Sequence, residues 1–218
     1  VKTRNHAMAN PLALFRTPLT VEEVMSSAHI YGGYLTKLMC CPPSCGAAAA
    51  ILVSEAFAKK QGITHGVEII AQSMATDTQS SWQDPMHAVG KDMVRRAASD
   101  VYEQAGIGPN DIDVIELHDC FTPNEVLTYE NLGLCGEGEA TQLVADGDNT
   151  YGGKWVINPS GGLMSKGHPI GATGLAQCTE LVKQLRGQAE QRQVPGARIG
   201  LQHNIGLVAG VVVTLYRK

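Results

Sequence analysis

The chain reads as an α/β fold, and three segments predict it. Each is an apolar, β-branched run that ends in a polar or glycine-rich turn: DIDVIELHDCF at 111–121, WVINPSGG at 155–162 leading into SKGHPIGATG at 165–174, and ARIGLQHNIG at 197–206. Helical spacing of apolar residues follows the first two. A repeated strand–turn–helix order is the signature of α/β proteins, which place reactive groups in the turns beyond their strands.

The elements follow in order. Residues 1 to about 38 are polar and irregular with one short helix, where Thr20 is the N-cap, Glu23 completes a capping box and Leu19 with Val24 form a staple. Residues 39–76 read as a helix over GAAAAILVSEAFAKK and then a strand, VEIIAQSMA. Residues 77–218 read helix, strand, helix, strand, helix, strand, strand. The first of these helices runs from about Met86 to Gln104, with Val89, Met93, Ala97 and Val101 on its core face. A strand enters at Asp113. The next helix has Thr122 as N-cap, Pro123 at its first position, Glu125 as box partner and Phe121 with Val126 as staple. Leu175, Cys178, Val182 and Leu185 mark a further helix. ARIGLQHNIG and GVVVTLYRK form a closing hairpin, which puts His203 or Asn204 near the same edge as the other turns. There is no internal repeat.

Two histidines occupy comparable junctions. His168 lies between glycines at a strand-to-helix turn, beside the positive end of a helix dipole, with Gly167 and Gly171 allowing close backbone approach to a ligand. His118 opens HDCF at the end of another strand. Cys120 falls within a turn of a helix N-terminus, a position expected to lower a thiol's pKa. Alone, such a histidine packs under a loop, and such a cysteine fills a core, as readily as either reacts. Two such junctions in one chain favour a site.

Composition bounds the function. A chain of 218 residues buries one sizeable core, and a net charge of −4 gives no basic field for nucleic acid. No apolar run approaches the ~20 residues of a membrane span, and no signal peptide is visible. Six cysteines without disulfide-like density fit a reducing compartment. Cys40, Cys41 and Cys45 lack a fourth ligand for a tetrahedral metal, so no metal is expected. The terminal Tyr216-Arg217-Lys218 is not a peroxisomal tripeptide, so a cytoplasmic location is expected, or a peroxisomal one for a eukaryotic chain fused to a targeted domain.

Taken in order, NHAMANPLALF, EEVM, CCPPSCGAAAAILVSEAF, PNDIDVIELHDCF, NTYGGKWVINPSGG, SKGHPIGATG and LQHNIG resemble the thiolase superfamily. They are most similar to its sterol-carrier-protein-associated branch, the nonspecific lipid-transfer-protein thiolases. The resemblance covers essentially the whole chain but only the later part of the family's length. It implies a layered α/β/α thiolase-like fold divided into three parts. Residues 1–38 would be the tail of the loop domain over the coenzyme A pocket. Residues 39–76 would be the last helix and strand of the N-terminal core domain, in a sheet whose other strands lie outside the chain, leaving an unpaired edge. Residues 77–218 would be a complete C-terminal core domain.

The implied reaction is acyl transfer: cleavage of a 3-ketoacyl-CoA by coenzyme A, or the reverse condensation. Coenzyme A would be a substrate, with no covalently bound cofactor. The acyl-carrying cysteine belongs to the family's N-terminal half, and no cysteine here matches its setting, so the chain alone is expected to show little thiolysis. By resemblance, His168 is the base for that thiol and helps hold the oxyanion. His118 is the donor to the thioester enolate oxygen, and Cys120 the acid/base thiol. Ser165, Gly167, Asn204 and Gly206 would line the substrate and coenzyme A site, with Lys154 and Lys166 as candidates for its phosphates.

Asn204-Ile205-Gly206 stands where many thiolases keep a Cys-x-Gly loop, and Cys120 would cover that role. The family commonly has Ser-Asp-Gly where this chain has Ser44-Cys45-Gly46, which removes a charged helix start. Leu207-Val208-Ala209 replaces a more glycine-rich loop, where Val208 could crowd an oxyanion site. Expected partners are acyl-CoA and coenzyme A, and either further copies of the chain or a complementing N-terminal thiolase half. A reading from another class is a non-catalytic coenzyme A- or lipid-binding subunit, or an aldolase-type subunit, working with a partner chain.

Overall fold

A computed structural model describes residues 1–206 and 209–218. Its centre is a mixed five-stranded sheet of β3 (Glu68–Thr76), β4 (Val114–Glu116), β5 (Val156–Ile157), β6 (Ile199–Gly206) and β7 (Gly210–Arg217), in the order β3-β7-β6-β4-β5. A separate two-stranded ribbon, β1 (His29–Tyr31) with β2 (Leu35–Thr36), lies nearer the N-terminus.

Strands β6 and β7 form the expected antiparallel hairpin, and β4 runs parallel to both β6 and β5. Alternation along the strands divides the core. Ile115, Ile157, Leu201 and Leu215 face a large cluster completed by Met93, Ala97 and Val101 of α5 (Lys91–Ala105), Tyr129 of α6 (Thr122–Asn131) and Leu143 of α7 (Ala140–Ala145). Val114, Val156 and Tyr216 face a second cluster with Leu181 and Leu185 of α8 (Thr173–Arg186). Helices therefore cover both faces, and the α/β layering read from the sequence is present.

The strand expected in an incomplete sheet, β3, pairs antiparallel with β7 from Glu68 opposite Arg217 to Thr76 opposite Gly210. It is the outermost strand, so its other edge is open.

Several elements differ from expectation. The first 38 residues contain two helices, α1 (Lys2–Met8) and α2 (Val21–Met25). The Thr20–Glu23 capping box of α2 is formed. Of the helix expected over 46–60, only α3 (Glu55–Lys60) is present, capped by Ser54, while Ile51 and Leu52 are exposed. Cys45-Gly46 is accordingly not a helix start. The helix expected from Met86 is interrupted by Gly90, at φ +100°, which separates the short α4 (Pro85–Ala88) from α5. A side chain at Gly90 would strike Ile205, so the break lets the two elements pack.

Helix α6 starts one residue earlier than read. Phe121 is its N-cap, and Thr122 is already helical. Glu125 closes no capping box; its carboxylate is buried against Lys2 and the Tyr129 hydroxyl. In α8 the buried face is Gln177, Leu181, Gln184 and Leu185, whereas Leu175 is exposed. The helix is rotated relative to the apolar pattern because it buries glutamines that bond backbone: Gln177 donates to His203 O and Gln184 to Arg192 O.

Candidate active site

Strands β4, β5 and β6 are parallel, so the turns after Glu116 and Ile157 lie at the same end of the sheet as Gly206, the last residue of β6. Buried polar groups fix the first two turns. Asn158 adopts a left-handed φ of +55° and accepts from Leu117 N through its side-chain oxygen (2.8 Å). It also donates its N–H to Ile115 O, and its carbonyl accepts from His6 Nδ1 (3.0 Å). Glu116, fully buried, accepts from the Ser160 backbone and hydroxyl. Burial, then Glu180, pushes its carboxyl up to about 7. Asp119 accepts from Leu163 N at 2.6 Å, tying HDCF to the turn ahead of His168, and burial raises its carboxyl as well.

Close packing forces glycine at two points. Gly161 sits at φ +95°, and a Cβ there would meet Ala7 of α1 at 2.6 Å. Gly162, at φ +57°, leaves room only for the Asp119 carboxylate. From Gly162 the backbone makes one wide π-helical turn to Lys166, which α1 covers.

His118 and His168 meet edge to face, ring centroids 4.9 Å apart and planes at 87°. Each ring has its Nδ1 held. His168 Nδ1 lies 2.7 Å from Thr173 Oγ1, whose one proton goes to Pro169 O, so the imidazole donates and keeps its lone pair on Nε2. His118 Nδ1 donates to Asn204 Oδ1 at 2.7 Å, which likewise frees Nε2. The His118 loop is gripped from two sides: its N–H donates to His203 Nδ1, and its carbonyl accepts from Asn124 Nδ2 at 2.5 Å. Burial lowers the His118 pKa to about 4, against the partly offsetting Asn204 bond and with a further push from His168. Burial and then Lys166 lower that of His168. Both rings are therefore neutral near pH 7.

Cys120 lies two residues beyond His118 and is nearly buried. Its thiol pKa is raised to about 12, by burial first and then by Cys41 and Asp119. The expected dipole effect does not decide its acidity; desolvation does, and the group stays protonated. A strap made by residues 40–44 joins the two loops. Cys41 N donates to Cys120 O at 2.8 Å, Cys40 pairs with Phe121, Pro43 pairs with His168, and Ser44 Oγ accepts from His168 N at 2.6 Å.

The remaining predicted residues fall as follows. Ser165 is buried in the π-helical turn, its hydroxyl without a partner among the described residues. Gly167, at φ +120°, packs against Leu14 and Ser44. Asn204 is the His118 partner, and Gly206 ends β6 opposite Gly210. Leu207 and Val208 lie outside the described residues. Lys154 precedes β5, at the opposite end of the parallel strands; it bonds Asn110 and stacks on Trp155. It is therefore no part of this site, whereas Lys166 is close enough to act on His168. Among the described residues, no group of three or more His, Cys, Asp or Glu could hold a metal, and no helix is long and apolar enough to cross a membrane.

Sequence reasoning missed the supports: Ser44, Asn158, Ser160 and Thr173. A cap-like Thr173 five residues after His168 was the one local signal available.

Three comparisons bear on this site. The family model described as thiolase C-terminal domain-like matches residues 71–216. Human sterol carrier protein 2 is 59% identical over 219 aligned residues, covering 99% of this chain and 40% of that protein. Benzoylsuccinyl-CoA thiolase subunit BbsB of Thauera aromatica is 41% identical, over 94% of this chain and 53% of its own length. The chain thus spans about half or less of these relatives. Among solved structures, the Ltp2-ChsH2(DUF35) aldolase matches with a TM-score of 0.83 and 25% identity, over 100% of this chain and 56% of that one.

Proposed function

The chain belongs to the thiolase C-terminal domain-like family, and on that premise we propose that it supplies the acid–base half of an acyltransferase site for coenzyme A thioesters. One observation carries this reading: the His118–His168 pair, each ring anchored through Nδ1 with its Nε2 left free. Neutral imidazoles held in place through Nδ1 are suited to proton transfer near pH 7.

His168, with a free lone pair, takes the proton of an attacking thiol contributed from outside these residues. The imidazolium then formed donates Nε2–H to the developing oxyanion. His118 donates to the enolate oxygen from its Nε2–H tautomer, in which the Asn204 amide presents Nδ2 and donates to the Nδ1 lone pair. Cys120, protonated at neutral pH, gives its proton to the leaving carbanion and recovers it from incoming coenzyme A. Lys166 is the nearby cation for the coenzyme.

Thiolysis of acetoacetyl-CoA by the protein with its natural termini tests this reading. His168→Ala and Cys120→Ser each lower kcat by roughly 10²-fold or more; turnover unaffected by both overturns it. A second reading comes from the aldolase match: carbon–carbon cleavage with a partner chain and no acyl-carrying thiol. Carbon–carbon cleavage that proceeds at full rate without free coenzyme A selects that alternative.

A further inference from the structure

Cys41 and Cys120 face each other where the strap joins the HDCF loop. Cys40 bridges Phe121 in antiparallel fashion, and Cys41 N donates to Cys120 O at 2.8 Å. That register sets Cys41 opposite Cys120, and pleating puts their side chains on one face of the ribbon. Cys40 falls on the other face, where its thiol donates to Thr36 O at 3.4 Å. Opposed residues at a hydrogen-bonded position have Cα atoms ~5.5 Å apart, inside the ~4.4–6.8 Å that a disulfide spans. Both thiols are free, with Cys120 buried and Cys41 partly accessible. Pro42 and Pro43 stiffen the strap, and a residue before proline is held extended, so Cys41 has little freedom to swing away.

We propose that Cys41 and Cys120 are a modification site, closing to a reversible disulfide when a peroxide oxidises them and so withdrawing the Cys120 thiol. The bond rests on this geometry alone; its effect on turnover rests on the acid–base role given to Cys120. Cys41, the more accessible thiol, reacts first. Its sulfur attacks hydrogen peroxide, the O–O bond breaks, and Cys41 becomes a sulfenic acid as water departs. Cys120 sulfur then attacks Cys41 sulfur. The S–O bond breaks, the S–S bond forms, and a second water carries off the Cys120 proton. The two thiols lose two electrons and the peroxide gains them. Burial raises the pKa of both thiols, so thiolate is scarce at neutral pH and the pair responds to sustained rather than brief oxidant. While bonded, Cys120 has no proton to give; a dithiol restores it by exchange.

Peroxide treatment of the protein with its natural termini, followed by alkylation of the remaining thiols and peptide mapping by mass spectrometry, tests the pairing. A cross-link between Cys120 and Cys41 is expected, removed by dithiothreitol, retained in Cys40→Ser and absent from Cys41→Ser. The wild-type map decides the pairing even where a variant fails to fold, because fragmentation separates Cys40 from Cys41. Exchange of the acetyl-CoA α-protons with solvent, which needs no acyl-carrying thiol, falls in step with the cross-linked fraction. Cys41→Ser keeps that exchange under the same treatment. Cross-linking of Cys120 to another cysteine, or no cross-link after peroxide, overturns the site. A mapped Cys41–Cys120 bond with exchange unchanged leaves the site standing and overturns the acid–base role of Cys120.

Discussion

Thr173 Oγ1 sits 2.7 Å from His168 Nδ1 and spends its only proton on Pro169 O, so it dictates which nitrogen of His168 is basic. A residue at the first turn of α8 thereby sets the chemistry of a ring in the preceding loop. Thr173→Val removes the acceptor and is expected to lower kcat for thiolysis by about 10–100-fold, while Thr173→Ser restores most of it. Equal rates in both variants would show that the hydroxyl does not fix the ring.

Asn204 holds His118 as a neutral acceptor, 2.7 Å from Nδ1. Replacement by aspartate puts a negative charge at that distance, which favours imidazolium. In Asn204→Asp the His118 pKa is expected to rise from about 4 towards or above the ordinary histidine value. Histidine-resolved NMR titration reads it, and an unmoved pKa contradicts the observed pairing.

Gly161 is the point where α1 presses on the turn before His168. Its positive φ and the contact with Ala7 make Gly161→Ala destabilising by about 1–3 kcal/mol from backbone conformation, with the clash adding to it. Urea unfolding measures this. A change below about 0.5 kcal/mol would mean that α1 does not dock on the turn.

Glu116 gives stability a pH dependence. Its folded pKa of about 7 exceeds the unfolded value near 4.5, so the folded state binds more protons between those limits. Stability from this group therefore falls as pH rises from about 4.5 to 7 and is level above, a loss of up to about 3 kcal/mol. His118 and His203, with pKa values lowered to about 4 and about 3, act in the opposite sense as pH rises from those values to 6.5. The difference between Glu116→Gln and wild type isolates the carboxylate: the variant gains relative stability progressively from pH 4.5 to 7. A constant difference across that range rules the group out.

Much of this arrangement was legible in the chain. Strands ending at HDCF and before SKGHP were visible because apolar alternation stops at glycine or proline, and the β6–β7 hairpin because its runs are β-branched. The meeting of His118 and His168 was an inference from two similar junctions, and parallel pairing of β4 with β5 brings it about. The strap was not legible. CCPPSC carries no periodicity, and its role comes from long-range bonds to Cys120 and His168. The acidity of Cys120 is not legible, because a dipole can be read from local sequence and burial cannot. The roles of Glu125 and of the α8 face are hidden for a related reason: buried charged or amide side chains find distant partners, and these outweigh the capping and apolar patterns.

Exchange of the acetyl-CoA α-protons into D₂O, followed by NMR, tests the central claim most directly, because enolisation requires the His118–Cys120–His168 groups and no acyl-carrying thiol. The protein is expected to catalyse this exchange, with His118→Ala and Cys120→Ser each slowing it by about 10²-fold or more. Exchange at the same rate in wild type and both variants would contradict the account.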